Sequence, residues 1–354
     1  IYRFIWDGTL FKNGIHPFAE LPAFYLDQNI DGINEELFNL LNSPSYFSIY
    51  PPLNQFIFWI SVSFGSSWLL SVNIIRTILL IADIGSFLAL RKLLKFYGKS
   101  SNLAFWYFLN PLVILEFTGN VHFEGLVIFF LLSGMYFFET KKNWFSSTSM
   151  GLAIGTKLLP LIFLPTLFFK GLNSKTWWVA ILAGVIGLIT IVPMMDQIFL
   201  DGIQSSLDLY FRKFEFNASL YFIAREIGVW IYGYNNIAQI GPLLSILSLL
   251  SILSIALVGT KKQWSLSKTF LFTLTIYLLF TTTVHPWYIL PLIAFGILSG
   301  YWYPIVWSFA IFLTYLGYNS TGFELPMWIV VIEYVLVALT FTIDLKLSRS
   351  TSEK

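Results

Sequence analysis

The 354-residue sequence predicts an all-α polytopic integral membrane protein. The expected architecture is roughly 10–12 transmembrane helices behind a large extracytoplasmic first loop that carries interfacial helices. Three observations predict it. The chain is 56% hydrophobic, 19% aromatic and only 11% charged, where a soluble domain carries about 25% charged residues. Apolar runs recur at 71–95, 102–117, 121–139, 145–169, 176–195, 238–259, 266–283, 286–299, 302–318 and 327–345. Basic residues gather on alternate connections between those runs, the signature of a fixed orientation.

A span needs about 20 apolar residues, so the shorter runs are expected to be tilted or broken. The run 145–169 holds Lys157 and Pro160 and reads as two half-helices. The run 52–69 follows Pro51-Pro52 and holds Asn54 and Gln55, so it reads as an interfacial helix. This division gives a first extracytoplasmic loop over 1–70 and a helix bundle over 71–354. Outer loops fall at 117–124, 196–236, 284–288 and 319–326.

Orientation follows from the cations. Arg91, Lys92, Lys95 and Lys99, then Lys141 and Lys142, Lys170 and Lys175, Lys261, Lys262 and Lys268, and finally Lys346, Arg349 and Lys354 all fall on one face. That face is cytoplasmic by the positive-inside rule. The opposite face receives most of the acids, from Asp7 and Glu20 through Glu124 and Asp196 to Glu324, together with His16, His122 and His285. The expectation is a multi-pass membrane protein with its chemistry on the extracytoplasmic side.

Other classes are excluded or disfavoured. There is no Cys, which removes disulfides, thiolate catalysis and Cys-ligated metals. A net charge of +2 without a basic patch gives no reason to expect nucleic acid. The chain opens at Ile1 in a polar segment with no signal peptide, so an N-terminal part is expected to be missing.

Several outer residues are candidates for chemistry. Asp7, between Trp6 and Gly8, suits a general base; the plainer reading is an Asp in a surface turn. Arg212 and Lys213 lie among Phe211, Phe214 and Phe216 and suit an anionic head group, or snorkel to the membrane surface. His122 and Glu124 are placed to orient a sugar hydroxyl or bind a metal; alternatively, Asn120 caps a helix with Glu124 in its first turn. No metal-ligand signature is present, and no cofactor is expected. His285 precedes Pro286-Trp287-Tyr288 at a helix start and leans towards function. Lys157 is a cation at membrane depth and reads as functional. Arg76 and Asp83, two turns apart, read as a structural polar stripe. Asn217-Ala-Ser and Asn319-Ser-Thr are sequons on the outer face.

Taken together, these motifs resemble the GT-C class of polytopic membrane glycosyltransferases, in particular bacterial mannosyltransferases that use lipid-linked sugars. Tyr2-Arg3-Phe4-Ile5-Trp6-Asp7-Gly8 with Asn13-Gly14-Ile15-His16-Pro17-Phe18 resembles the family's opening segment. Ile49-Tyr50-Pro51-Pro52-Leu53 resembles its YPP signature. Asn110-Pro111-Leu112, Glu116 and Gly119-Asn120-Val121-His122-Phe123-Glu124 follow in the family's order. Gly155-Thr156-Lys157-Leu158-Leu159-Pro160 resembles a KxxP re-entrant segment, and Phe216-Asn217 and His285-Pro286-Trp287-Tyr288 complete the set. His16 stands where Asn is usual and Glu124 where Asp is usual.

The resemblance implies a GT-C-like helix bundle that moves a hexose, with mannose favoured. It implies a polyprenyl-phosphate-linked sugar as donor and a glycolipid or glycan as acceptor. It implies Asp7, or an acid just before Ile1, as the base of an inverting displacement. Arg3, Trp6, His16, Tyr50, His122, Glu124, Lys157, Arg212, Lys213, Asn217 and His285 then become substrate-binding candidates, with Trp6 available to stack on a sugar. The rival classes are a flippase or transporter of lipid-linked saccharide and a surface-polysaccharide polymerase or ligase.

Overall fold

The computed structural model describes residues 1–65, 67–212, 214–319 and 322–352. It is 76% helical, as expected of an all-α chain. Its β-structure among the described residues is slight: a two-residue pairing, Tyr318–Asn319 with Gly322–Phe323, and an isolated parallel bridge between Phe216 and Thr283. Three helices are long and apolar enough to cross a membrane, namely Trp68–Phe96, Ile237–Lys261 and Met327–Ser348. A fourth crossing results if Pro111–Gly119 and Glu124–Glu139, bent by 117°, form one span. The outward sides of the long helices expose Ile81, Leu88, Leu249, Leu250, Val335 and Leu339. Apolar surface of that extent calls for lipid or a partner against it.

The remaining apolar runs fold as shorter helices, including Trp178–Met194, Leu266–Phe280, Pro286–Ser299 and Tyr303–Gly317. The run 102–117 is not one helix. It breaks at Asn110-Pro111, where Asn110 Oδ1 caps the amide of Leu112 at 2.9 Å and Pro111 starts a new turn. The outer segment 196–236, expected as a loop, contains the helices Gln197–Arg212 and Leu220–Tyr232.

The opening segment also differs from expectation. Tyr2–Lys12 is a helix, α1, and Arg3 to Leu10 are buried in it. It lies against α2, Pro52–Ser63. At about 1.5 Å per residue α2 is too short to span a bilayer. It buries the polar Asn54, Gln55 and Ser61 among protein neighbours, where a purely interfacial helix would keep such groups in water. Gly8 explains how the two helices fit: a Cβ there would come within 2.6 Å of the Phe58 carbonyl oxygen. The Trp-Asp-Gly stretch is thus a helix–helix contact and not a surface turn.

Asp7 is the polar centre of that contact. It is fully buried and accepts from Arg3 Nε at 2.8 Å, Ser48 Oγ at 2.5 Å and Gln55 Nε2 at 3.1 Å. Arg3 also donates to the carbonyl of Tyr46 at 2.8 Å, which fixes the strap before Tyr50. Arg76 ties Trp68–Phe96 to the Thr118 carbonyl at 2.7 Å, in keeping with a structural stripe.

Next come α3, Asn143–Thr156, and α4, Trp178–Ile191. Their faces meet through glycine. A Cβ on Gly151 would reach Ile186 at 2.6 Å, and one on Gly187 would reach Ile154 at 2.6 Å. Gly151 and Gly155 form the small-xxx-small spacing that brings apolar helices together.

Removing the Asp7 charge should unfold the first segment. Asp7→Asn leaves the buried Arg3 guanidinium uncompensated, at a cost of about 3–5 kcal/mol. Thermal unfolding in detergent measures the loss. A double change, Arg3→Met with Asp7→Leu, should cost less than the sum of its parts.

Candidate active site

Beside α1 and α2 the chain encloses a cavity of about 580 Å³. Its location follows from one broken helix. α3 ends at Thr156, and Lys157 is extended, with φ −156° and ψ 139°. Pro160 lies four residues beyond Thr156. It has no N–H to give the Thr156 carbonyl, and its ring would crowd that oxygen in a continuing helix. Asn54 supplies the missing donor: its Nδ2 bonds Thr156 O at 3.1 Å. The half-helix reading of 145–169 therefore holds, and the break turns Lys157 into the cavity wall.

Four residues singled out from sequence converge on this wall: Tyr50, His122, Glu124 and Lys157. The Lys157 ammonium pairs with Glu124 and sits 4.3 Å from the centre of the Tyr288 ring. Glu124 opens the helix Glu124–Glu139, where the exposed amides favour a carboxylate. Tyr50 packs edge-on against Phe4 and Phe58.

His122 arrives by way of a strained turn. Val121 has φ +58°, a left-handed conformation that a β-branched residue adopts at a cost of about 1–3 kcal/mol. The turn is held by the His122 amide on Glu116 O at 2.9 Å. The buried Glu116 carboxylate also accepts from Tyr315 OH and from Asn120 Nδ2 at 3.1 Å, and lies 3.4 Å from His122 Nε2. His122 stacks on Trp287 at 3.8 Å, and Trp287 stacks on His285 at 4.4 Å. Phe216 and Phe323 extend the column beyond His285. His285 is therefore one ring behind the cavity wall. Burial lowers the pKa of both histidines from 6.5 to about 3, helped by the nearby positive charge of Lys157.

The other sequence candidates lie elsewhere. Asp7 and Arg3 are spent on each other and on the strap, so neither is on the cavity wall. Trp6 is fully buried against Phe38, with no face free for a sugar. His16 bridges towards the far end of α4: its Nε2 is 3.4 Å from Met194 O and 3.8 Å from Asp196 Oδ1. Asn217 is buried, and its amide nitrogen donates to Thr314 Oγ1 at 2.8 Å and to Glu333 at 3.0 Å. That amide is not an outer-surface glycan acceptor, despite the sequon. The Arg212 side chain and Lys213 lie outside the described residues, as do Ser320 and Thr321 of the second sequon.

Residues that sequence reasoning missed complete the wall. Asn54 is buried, and its Oδ1 has no partner among the described residues. Trp287, Tyr288 and Tyr277 add aromatic surface, and Thr283 adds a hydroxyl. The sequence placed Asn54 in an interfacial helix, and its partner Thr156, 102 positions away, has no local signal. No group of three His, Asp or Glu side chains able to hold a metal occurs among the described residues.

The histidines make a pH prediction. Each titrates near 6.5 in the unfolded chain and near 3 in the fold. Between those values the unfolded chain binds the extra protons, so the stability they contribute is complete above about pH 6.5 and is lost as pH falls towards 3. Unfolding midpoints across pH 7 to 4 should fall, and His122→Phe with His285→Phe, which keeps the ring stack, should flatten the fall.

No curated protein matches the chain. Residues 1–171 match the family model described as alpha-(1->6)-mannopyranosyltransferase, N-terminal domain, of the MptA_B family. That stretch supplies α1, the Tyr50 strap, the Glu116 turn, Glu124 and Lys157. Over it the chain is similar to enzymes that transfer mannose, and its enzyme class is glycosyltransferase.

Proposed function

We propose that this glycosyltransferase moves a mannosyl group from a polyprenyl-phosphate donor to a glycolipid or glycan acceptor, at the extracytoplasmic face of a bacterial plasma membrane, by inverting displacement. The observation that carries the reading is the union of a cation with an apolar, outward-open rim. Lys157 sits on the cavity wall, while Ile49, Leu158, Leu161 and Met195 line the same cavity and are each at least about a third exposed. A sugar on a lipid phosphate needs that combination. The acyl chain runs along the rim, the phosphate meets the ammonium, and the sugar enters among Tyr50, Trp287 and Tyr288.

The chemistry has few parts. As the acceptor oxygen bonds to the anomeric carbon, the bond to the phosphate oxygen breaks and its electron pair leaves on the phosphate. Lys157 stabilises that growing charge, an electrostatic contribution that usually dominates in such sites. Trp287, whose faces are taken by His122 and His285, presents a ring edge to the sugar, and Tyr50 adds a second aromatic surface. Asn54 Oδ1, buried and unpartnered among the described residues, is an acceptor for a sugar hydroxyl. In this reading the shorter apolar helices join the three long ones to make roughly ten to twelve crossings, and tilting or breaks account for their length. The cationic loops then face the cytoplasm.

Membranes carrying the protein, given polyprenyl-phosphate-linked radiolabelled mannose and a host lipid extract, test the reading. Label should pass into a new glycolipid or glycan, and Lys157→Met should cut the rate by about a hundredfold or more. Transfer from a nucleotide-linked mannose in place of the lipid donor would overturn it.

A further inference from the structure

We propose that the Lys157–Glu124 ion pair is an exchange switch: the donor's phosphate takes over Lys157, and the Glu124 carboxylate so released is the base that receives the acceptor's proton. This rests on the polyprenyl-phosphate reading and assigns that site its missing base.

Elimination among the described residues, together with geometry, leads to this assignment. Displacement needs a carboxylate or an equivalent base within reach of the acceptor hydroxyl. Asp7 is enclosed, with Arg3, Ser48 and Gln55 on its oxygens. Glu116 is buried beneath the turn, with Tyr315, Asn120 and His122 around it. Two histidines stand near the site, one on the wall and one behind it. His122 is committed to Glu116 and to the Trp287 ring, and His285 is behind that ring. Glu124 is the carboxylate found among the described residues that line the cavity. Its partner there is the Lys157 ammonium, which is also the cation in that lining.

The pair is built to exchange. Lys157 follows a helix break, so its stem is not locked into a regular turn, and its side chain is 32% exposed towards the cavity. The Tyr288 face can hold the ammonium while its anionic partner changes. Glu124, by contrast, is fixed at a helix start and nearly buried. When a phosphate arrives, the mobile cation follows it and the fixed carboxylate stays beside the sugar. The proton of the acceptor O–H then passes to a Glu124 oxygen as that acceptor oxygen bonds to the anomeric carbon. The electron pair of the broken bond remains on the lipid phosphate against Lys157, so charge and atoms balance. Without donor, Glu124 is masked, and water in the cavity meets no free base.

Competition between carboxylate and phosphate for one cation gives the test. Glu124→Gln removes the competitor and the base together. Binding of polyprenyl phosphate to the purified full chain should tighten about tenfold, while mannosyl transfer should fall by about 10²- to 10⁴-fold. Lys157→Met should weaken that binding, and the double variant, which leaves no unpaired charge, should bind like Lys157→Met alone. Unchanged or weaker lipid-phosphate binding by Glu124→Gln, sustained transfer by it, or tight binding by the double variant would each overturn the exchange. A wild-type protein that transfers mannose and binds the lipid phosphate while the variants fail this pattern leaves the donor reading standing and sinks only the switch. Wild-type protein that binds no polyprenyl phosphate sinks both.

Discussion

A helix that stops inside an apolar protein strands a carbonyl, and the Thr156 carbonyl is the one on which this fold turns. Pro160 guarantees the stop, because it offers no N–H and its ring would crowd that oxygen in a continuing helix. An unpaired carbonyl in apolar surroundings is expensive, so a donor has to be brought from elsewhere. Asn54 brings it, and to do so α2 has to lie against the break. α2 is in turn held by the Gly8 contact and by the Asp7 knot. The first sixty residues are thus arranged around a single unfilled hydrogen bond, and the cavity is what remains between them and the broken helix.

The polar groups of this region separate into two kinds. Arg3, Asp7, Ser48 and Gln55, like Asn217, Glu333, Thr314 and Trp307, are inward-facing networks that fix elements to one another. Lys157, Glu124 and Asn54 face the cavity and keep capacity that the protein does not use up. A site that must bind charge and then release it needs the second kind set on the first. The strained Val121 belongs to the same logic: a rigid surround over-determines the turn and so holds His122 flat on Trp287.

Much of the architecture was legible in the sequence, because composition and apolar period speak directly of burial. The break at Lys157 was readable from a cation and a proline in one apolar run. The helical state of the opening segment was not. Trp6, Asp7 and Gly8 look like a turn in isolation, and only the arrival of Phe58 from fifty residues away makes Gly8 a packing surface. Asp7 looked like a free acid for a related reason: the i to i+4 spacing to Arg3 was visible, but Ser48 and Gln55 were not on any local pattern. Tyr50, His122, Glu124 and Lys157 stood out in the sequence by their motifs, and the fold brings them to one cavity wall that no local pattern announces. Asn54 and the ring stack escaped, since stacking and carbonyl capture between distant segments leave no period in the chain.

The cavity has one further property. Among the described residues, the charged side chains on its wall, Glu124 and Lys157, come from the first half of the chain, within the stretch that matches the mannosyltransferase N-terminal domain. The second half contributes Tyr277, Trp287, Tyr288, Ile191, Met195 and Phe199, together with two threonines. The charges thus come from one part of the polypeptide, while the contour is shared by both, since Phe4, Ile49, Tyr50, Leu158 and Leu161 of the first half line the same wall. Reshaping the aromatic half would retune which sugar or lipid is accepted without disturbing the charges that activate it, so specificity can drift while the reaction stays the same.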